Sequence, residues 1–167
     1  MSLSLLPKII APATNNLSVA FLQERGIRLL MLDFDNTIVP YTTCTPTPEM
    51  DAWLKELQAS DIQLCIVSNS KRDRVRVFCE PYGIPVITRA YKPFGKGIRK
   101  CMDRFGIDAK YCALVGDQIF TDTLGANLNG VTSILITAID NHNIWLKLRH
   151  VAELPFIFFA RKRRVNL

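Results

Sequence analysis

Five short apolar runs recur along the chain with amphipathic stretches between them: LLMLDF (29–34), IQLCIVS (62–68), IPVIT (84–88), YCALVG (111–116) and TSILIT (132–137). All but the short third are near-continuous in apolar character, as strands are when both faces of their sheet are covered. Their alternation with helix-like segments predicts an α/β fold built on a mainly parallel sheet.

The intervening helices announce their ends. Pro48 follows Thr47 as a first helical residue, and Met50, Trp53, Leu54 and Leu57 share one helical face. A second helix is expected after Ser70, with Asp73 three residues on in the manner of a capping box. A third is expected from about Pro93 through Ile98, Cys101, Met102 and Phe105 to a left-handed cap at Gly106, and a fourth from about Ile119 to near Gly130. Ahead of the first run, Asn15 or Asn16 is expected to cap a short helix ending near Gly26. A chain of 167 residues, 49% of them hydrophobic, suffices for one domain with a substantial core. Its core is expected over about 27–137, with a helical extension at 1–26 and an amphipathic, basic segment at 144–167.

The polar residues able to do chemistry fall on the carboxyl side of these runs. Asp33 and Asp35 close the first, Ser68 and Asn69 the second, Lys92 follows the third, and Asp117 and Asp122 follow the fourth in VGDQIFTD. In an open parallel sheet that edge is where ligands bind, so four strands would deliver these groups into one crevice. One such Asp would be read as a helix cap or turn; the ordered set argues for chemistry.

Phosphoryl transfer is the demand that fits. Phosphate monoesters hydrolyse extremely slowly unaided, and catalysis needs a nucleophile, a proton for the leaving oxygen and positive charge for the phosphoryl oxygens. Asp33 is the candidate nucleophile, and Asp35, two residues on, the candidate acid and later base. A dication held by Asp33 and Asp117 would relieve the repulsion among the acids, and an all-oxygen site suits Mg²⁺. Lys92 would offset the charge of Asp33 and the phosphoryl group, with nearby Lys96 as the fallback, while Ser68 and Asn69 would donate hydrogen bonds to the phosphoryl oxygens. Ser68 has a competing use as a helix cap, and Asp122 either meets the metal through water or orients Lys92. Asn36 and Thr37 are expected to shape the loop after Asp35, and Gln118 and Thr121 to support the loop after Asp117.

These motifs resemble those of haloacid dehalogenase superfamily phosphatases: DFDNT matches D-x-D-x-T, and Ser68, Lys92 and GDQIFTD match the second, third and fourth motifs in order. More narrowly, DFDNTIVP, YKP and GDQ-x-x-TD-x-x-G-x-N are similar to the YqeG-like, subclass IIIA branch, whose relatives include phosphatidylglycerophosphate phosphatases. The resemblance covers roughly residues 27–137. It implies a three-layer Rossmann-like fold, Mg²⁺ dependence, an aspartyl-phosphate on Asp33, Asp35 as acid/base, and metal ligation by Asp33, the Asp35 backbone carbonyl, Asp117 and Asp122. The large cap insertions of the family are missing, because only about a dozen residues separate Asp35 from Pro48 and 70–91 holds just a helix and a strand. An open crevice suits a phosphate on a large or surface-bound molecule, a lipid head-group phosphate such as phosphatidylglycerophosphate being the leading candidate; phosphoproteins, nucleotides and sugar phosphates are the alternatives.

Other readings are weaker. FGKGIRK (94–100) lacks the first glycine and the Ser/Thr of a P-loop, and no G-x-G-x-x-G follows the first strand. A cysteine phosphatase would need Arg six residues after Cys65, where Lys71 stands. A receiver domain carries its acceptor Asp on a later strand than its acidic pair. A catalytically idle module docking to membrane or RNA is the rival from another class. Five cysteines without metal-site spacing point to a reduced, cytoplasmic protein. No apolar run reaches bilayer length, and Pro7, Lys8 and Pro12 break any secretory signal. The net charge of +6 is concentrated in Arg161, Lys162, Arg163 and Arg164 after LPFIFFA, which suits either a tail packed on the domain or peripheral contact with the inner face of a membrane; nucleic acid is not expected without an accompanying motif.

Overall fold

A computed structural model describes residues 4–70 and 73–140 and the backbone of 165–166. Apolar runs at five of the expected places form strands, and two further strands join them: β1 (Ile9–Ala11), β2 (Leu29–Leu32), β3 (Gln63–Val67), β4 (Val86–Ile87), β5 (Cys112–Gly116), β6 (Thr132–Ile136) and β7 (Val165–Asn166). They make one sheet in the order β4-β3-β2-β5-β6-β1-β7, with every neighbouring pair parallel.

Among the described residues five α-helices cover it: α1 (Val19–Glu24), α2 (Pro48–Gln58), α3 (Arg74–Cys79), α4 (Lys96–Phe105) and α5 (Leu124–Leu128). Alternation along each strand sends successive side chains to opposite faces. Leu30, Leu32, Leu64, Ile66, Ala113 and Val115 therefore pack with Leu22 of α1, Trp53, Leu54 and Leu57 of α2, and Val75 and Phe78 of α3. Leu29, Met31, Cys65, Val67, Cys112 and Leu114 pack on the other face with Ile98 and Cys101 of α4 and Ala126 of α5. The result is the three-layer α/β arrangement, with both faces dry.

The local signals act as read at α2, where Thr47 Oγ1 accepts from the Met50 amide at 3.3 Å, and at α4, which ends on Gly106 at φ 62°. Elsewhere the boundaries shift. α4 starts at Lys96 rather than Pro93, and α3 at Arg74, with Asp73 rather than Ser70 in the preceding position. The segment 1–26 is not only a helical extension: Ile9–Ala11 forms a sheet strand, with Ile9 opposite Ile134. A three-residue strand carries too little periodicity to stand out, and long-range pairing rather than local pattern stabilises it. Asn15 and Asn16 lie in a short 3₁₀ turn, and Ser18 caps α1 by accepting from Phe21 N at 3.2 Å. The amphipathic and basic stretch at 144–164 lies outside the described residues.

Chain order fixes the position of the crevice. From β2 the chain steps to β3 and β4 on one side, then crosses back to β5 and β6 on the other. β2 and β5 are thus adjacent strands whose following connections diverge, which opens a cleft beyond their carboxyl ends. Among the described residues, no cap domain interrupts the connection from β2 to α2 or from β3 to β4.

Candidate active site

Asp33 leaves β2 beside β5, its amide donating to Val115 O at 2.9 Å, and Asp117 leaves β5 directly opposite. A wide π-helical turn, Ile119–Thr123, then brings Asp122 back over Gly116. Such turns place a side chain where a regular helix would not. Carboxylate oxygens of Asp33, Asp117 and Asp122 converge to within 4.8 Å of one another, all buried.

Lys92 enters from the loop after β4. Its Nζ lies 2.7 Å from Asp33 Oδ1 and 2.7 Å from Asp122 Oδ1, with only 2% of its side chain exposed. Burial opposes the ammonium charge, but the Asp122 and Asp33 carboxylates outweigh it and hold Lys92 above its ordinary pKa. Burial raises Asp122, the Lys92 charge opposes that rise and the Asp33 charge adds to it. Lys96, the fallback, is exposed at the start of α4.

The loop that carries Lys92 is contorted to deliver it. Arg89 and Tyr91 both adopt left-handed backbone, at φ 51° and 54°, a conformation costing bulky residues about 1–3 kcal/mol each. Asn69 holds the loop with both ends of its carboxamide, accepting from Lys92 N at 2.8 Å and donating to Lys92 O at 3.0 Å. Its side chain is therefore committed to Lys92, rather than aimed only at a phosphoryl group. Ser68 is buried, and its Oγ accepts from Ser70 N at 3.0 Å, the local turn bond that competes with a ligand-binding use.

Asp35 is held differently. Asn36, in the left-handed region at φ 62°, turns the chain sharply after it, and short polar residues are among the few that tolerate this. The Asn36 carboxamide donates to Asp140 O at 2.7 Å, and Thr14 Oγ1 donates to Thr37 O at 2.7 Å, so the loop is fixed from the segment after β6 and from the N-terminal segment. Thr121 Oγ1 donates to Gln118 Oε1 at 3.1 Å, bracing the turn that carries Asp122.

Sequence reasoning missed Arg74. This first residue of α3 places a guanidinium nitrogen 3.1 Å from Asp35 Oδ1. Its signal was present but ambiguous, because KRDRVR offers four basic residues and no pattern selects one.

Four buried carboxylates, Asp33, Asp35, Asp117 and Asp122, thus share the crevice with Lys92 and the partly buried Arg74. An excess of buried, hard oxygen donors is the donor set that a hard dication fits. Asp122 Oδ1 is ion-paired with Lys92 at 2.7 Å and Oδ2 accepts from the Gln118 amide at 3.1 Å, which suits orienting Lys92.

Comparison with known proteins gives this arrangement a family. The sequence profile described as haloacid dehalogenase-like hydrolase matches residues 13–130. This chain belongs to that family. It is 37% identical over 118 residues to "Probable phosphatase YqeG" of Bacillus subtilis, covering 71% of this chain and 69% of that protein. Within the family it is a YqeG-like phosphatase. Two solved structures share the fold at lower identity. The cobalt-bound deoxy-D-mannose-octulosonate 8-phosphate phosphatase of Haemophilus influenzae matches with TM-score 0.55 at 15% identity, over 75% of each chain. A putative subfamily III A hydrolase of the superfamily from Legionella pneumophila matches with TM-score 0.53 at 13% identity, over 86% of this chain and 94% of that one.

The tight approach of the π-helical turn to β5 makes one prediction. A methyl group at Gly116 would collide with the Asp122 carboxylate, which must then move and take Lys92 with it. Gly116→Ala is expected to lower phosphatase turnover about 10²-fold, the cost of a misplacement of about 1 Å. Steady-state rates on an aryl phosphate check this, and wild-type turnover in the variant would contradict it.

Proposed function

We propose that the protein hydrolyses a phosphate monoester through an aspartyl-phosphate on Asp33, assisted by Mg²⁺. The observation that carries this reading is the convergence of Asp33, Asp117 and Asp122 within 4.8 Å at the switch point of the sheet, with Lys92 bridging two of them.

In this reading an Asp33 oxygen attacks phosphorus in line with the departing oxygen. Asp35 gives its proton to that oxygen, so that the P–O bond breaks to a neutral alcohol; it then takes a proton from the water that hydrolyses the aspartyl-phosphate. Lys92 balances the charge that accumulates on Asp33 and the phosphoryl oxygens, and Asp122 and Asn69 keep it aimed there. Ser68, whose hydroxyl is oriented by accepting from Ser70, donates its proton to a phosphoryl oxygen, and the Asn69 amide group lies next to it in the same loop. Asp33, Asp117 and the Asp35 carbonyl would hold Mg²⁺, with Asp122 as a further or water-linked ligand. When bound, the ion supplies Lewis-acid stabilisation of the phosphoryl oxygens and relieves repulsion between the acids and an anionic substrate.

For the substrate we propose a lipid head-group phosphate, with phosphatidylglycerophosphate leading. Three observations support it. Among the described residues the crevice has no cap domain. Tyr91 and Phe94, on the loop that carries Lys92, and Phe120, in the π-helical turn that carries Asp122, are exposed by 55%, 80% and 36%. The basic run 161–164 adds positive charge suited to an anionic bilayer and to a cytoplasmic protein working on its inner face. Among the described residues no helix is long and apolar enough to cross a membrane.

The experiment is a screen of purified protein against lipid, sugar, nucleotide and peptide phosphates, with Mg²⁺ and with chelator. The expected outcome is turnover that falls at least about 10²-fold on chelation, with preference for the lipid phosphate. Undiminished turnover in chelator would remove the metal reading, and a small-metabolite preference would remove the lipid one.

A further inference from the structure

Among the described residues, Arg74 is a charged side chain beside the crevice to which the proposed mechanism gives no task. Its contacts are concentrated on one segment. Nη2 lies 3.1 Å from Asp35 Oδ1 and donates to Pro40 O at 3.1 Å; Nη1 donates to Tyr41 O; the guanidinium carbon lies 5.0 Å from the centre of the Phe34 ring. Every one of these partners belongs to the loop that leaves β2, while Arg74 itself begins α3 on the far side of β3. The side chain is 14% exposed, and that of Asp35 12%.

A partly buried arginine so placed could be only a strap between α3 and the loop. The two carbonyl bonds and the ring contact would suffice for that. The ion pair to Asp35 adds something a strap does not need, because it costs desolvation of two charges and lands on the one carboxylate that must present a proton in a fixed direction. A guanidinium is planar and its donors are rigidly disposed, so anchors on Phe34, Pro40 and Tyr41 fix the orientation of the group and with it the place of Nη2 beside Asp35 Oδ1. The Arg74 charge thus lies against the Oδ1 side of the Asp35 carboxyl.

We propose that Arg74 is a positioning residue for Asp35, fixing the direction in which that carboxyl delivers its proton to the leaving oxygen. The proposal rests on Asp33 acting as nucleophile and Asp35 as acid. In the step concerned, Asp33 forms its bond to phosphorus, the electron pair of the breaking P–O bond goes to the ester oxygen, and the Asp35 proton moves onto that oxygen. The resulting Asp35 carboxylate stays paired with the Arg74 guanidinium until it takes up a proton from the attacking water. Arg74 touches neither substrate nor phosphorus in this scheme.

Leaving-group dependence tests it, because an acid matters only when the departing oxygen needs a proton. 2,4-Dinitrophenyl phosphate releases a stable anion, whereas phenyl phosphate, of similar shape, does not. For Arg74→Ala we expect kcat/KM on phenyl phosphate to fall about 10²-fold and on the dinitrophenyl ester less than about 10-fold. Asp35→Asn should show the same selectivity, more strongly, and Arg74→Lys should recover about 10-fold on phenyl phosphate by restoring the charge without the fork. Arg74→Gln, which keeps hydrogen-bonding capacity and length, carries the same comparison if the alanine variant folds poorly. An equal loss on both esters in the Arg74 variants would reduce the residue to a structural strap and overturn the proposal, as would an Asp35→Asn variant without selectivity. Asp33→Asn serves as the separate control. Turnover of the dinitrophenyl ester surviving in that variant would overturn the covalent mechanism itself, whereas its loss, together with unselective Arg74 variants, would overturn only the role assigned to Arg74.

Discussion

Replacing Asp33 with asparagine is expected to lower turnover of any phosphate monoester by about 10⁴-fold or more while leaving the fold intact. The two halves of that expectation come from the same geometry. Asn is nearly isosteric with Asp but has no anionic oxygen to attack phosphorus. At the same time the substitution removes one of four carboxylates crowded at the switch point and leaves the 2.7 Å pair between Lys92 and Asp122 in place. The remaining acids then repel one another less, so the melting temperature should hold or rise. Acid quenching during turnover of a labelled ester should trap phosphate on the wild-type protein and none on the variant. Turnover within about 10-fold of wild type would rule out Asp33 as nucleophile.

Lys92→Ala is expected to fail on both counts. Its Nζ is the cation shared by Asp33 and Asp122, and removing it strands two buried acids, which costs about 3–5 kcal/mol in sites of this kind. For a chain of this size that corresponds to a fall in melting temperature of about 10 °C. Turnover should drop about 10²–10³-fold as well, since the positive charge facing the phosphoryl oxygens is lost. Lys92→Arg should not restore it, because the planar guanidinium is larger than the ammonium and the side chain it replaces is only 2% exposed. A distinguishing signature is the response to Mg²⁺: a dication offsets the stranded acids, so its stabilising effect should be larger in Lys92→Ala than in the wild type. Wild-type stability and turnover in this variant would contradict the central place given to Lys92.

How much of this was readable in the chain follows from the range of each interaction. Period and composition acted locally and strongly in β2, β3, β5 and β6, where four or five consecutive residues are buried almost without exception. The caps at Thr47 and Gly106 were equally legible, because the atoms involved are three or four residues apart. β1 was not, since Ile9–Ala11 is a strand only by virtue of pairing with residues more than a hundred positions away. Neither was the true cap of α1, where Ser18 rather than Asn15 or Asn16 meets the helix, the two asparagines being taken by a turn whose direction is set by Thr14 holding Thr37.

The sequence by itself determined the fold class, the family and the set of acids, with Lys92 among them, because each rests on residues close together in the chain or on the order in which strands end. Only the tertiary structure decided which groups hold which: that Asp122 bridges to Lys92, that Asn69 spends its carboxamide on the Lys92 backbone, and that Arg74 of KRDRVR reaches Asp35. Those pairings, all between described residues, join segments tens of residues apart, and their partners are selected by the approach of β2, β3, β4 and β5 at one edge of the sheet. A one-dimensional pattern records which charges are available; the side chains they meet depend on distances that exist only after the strands have assembled.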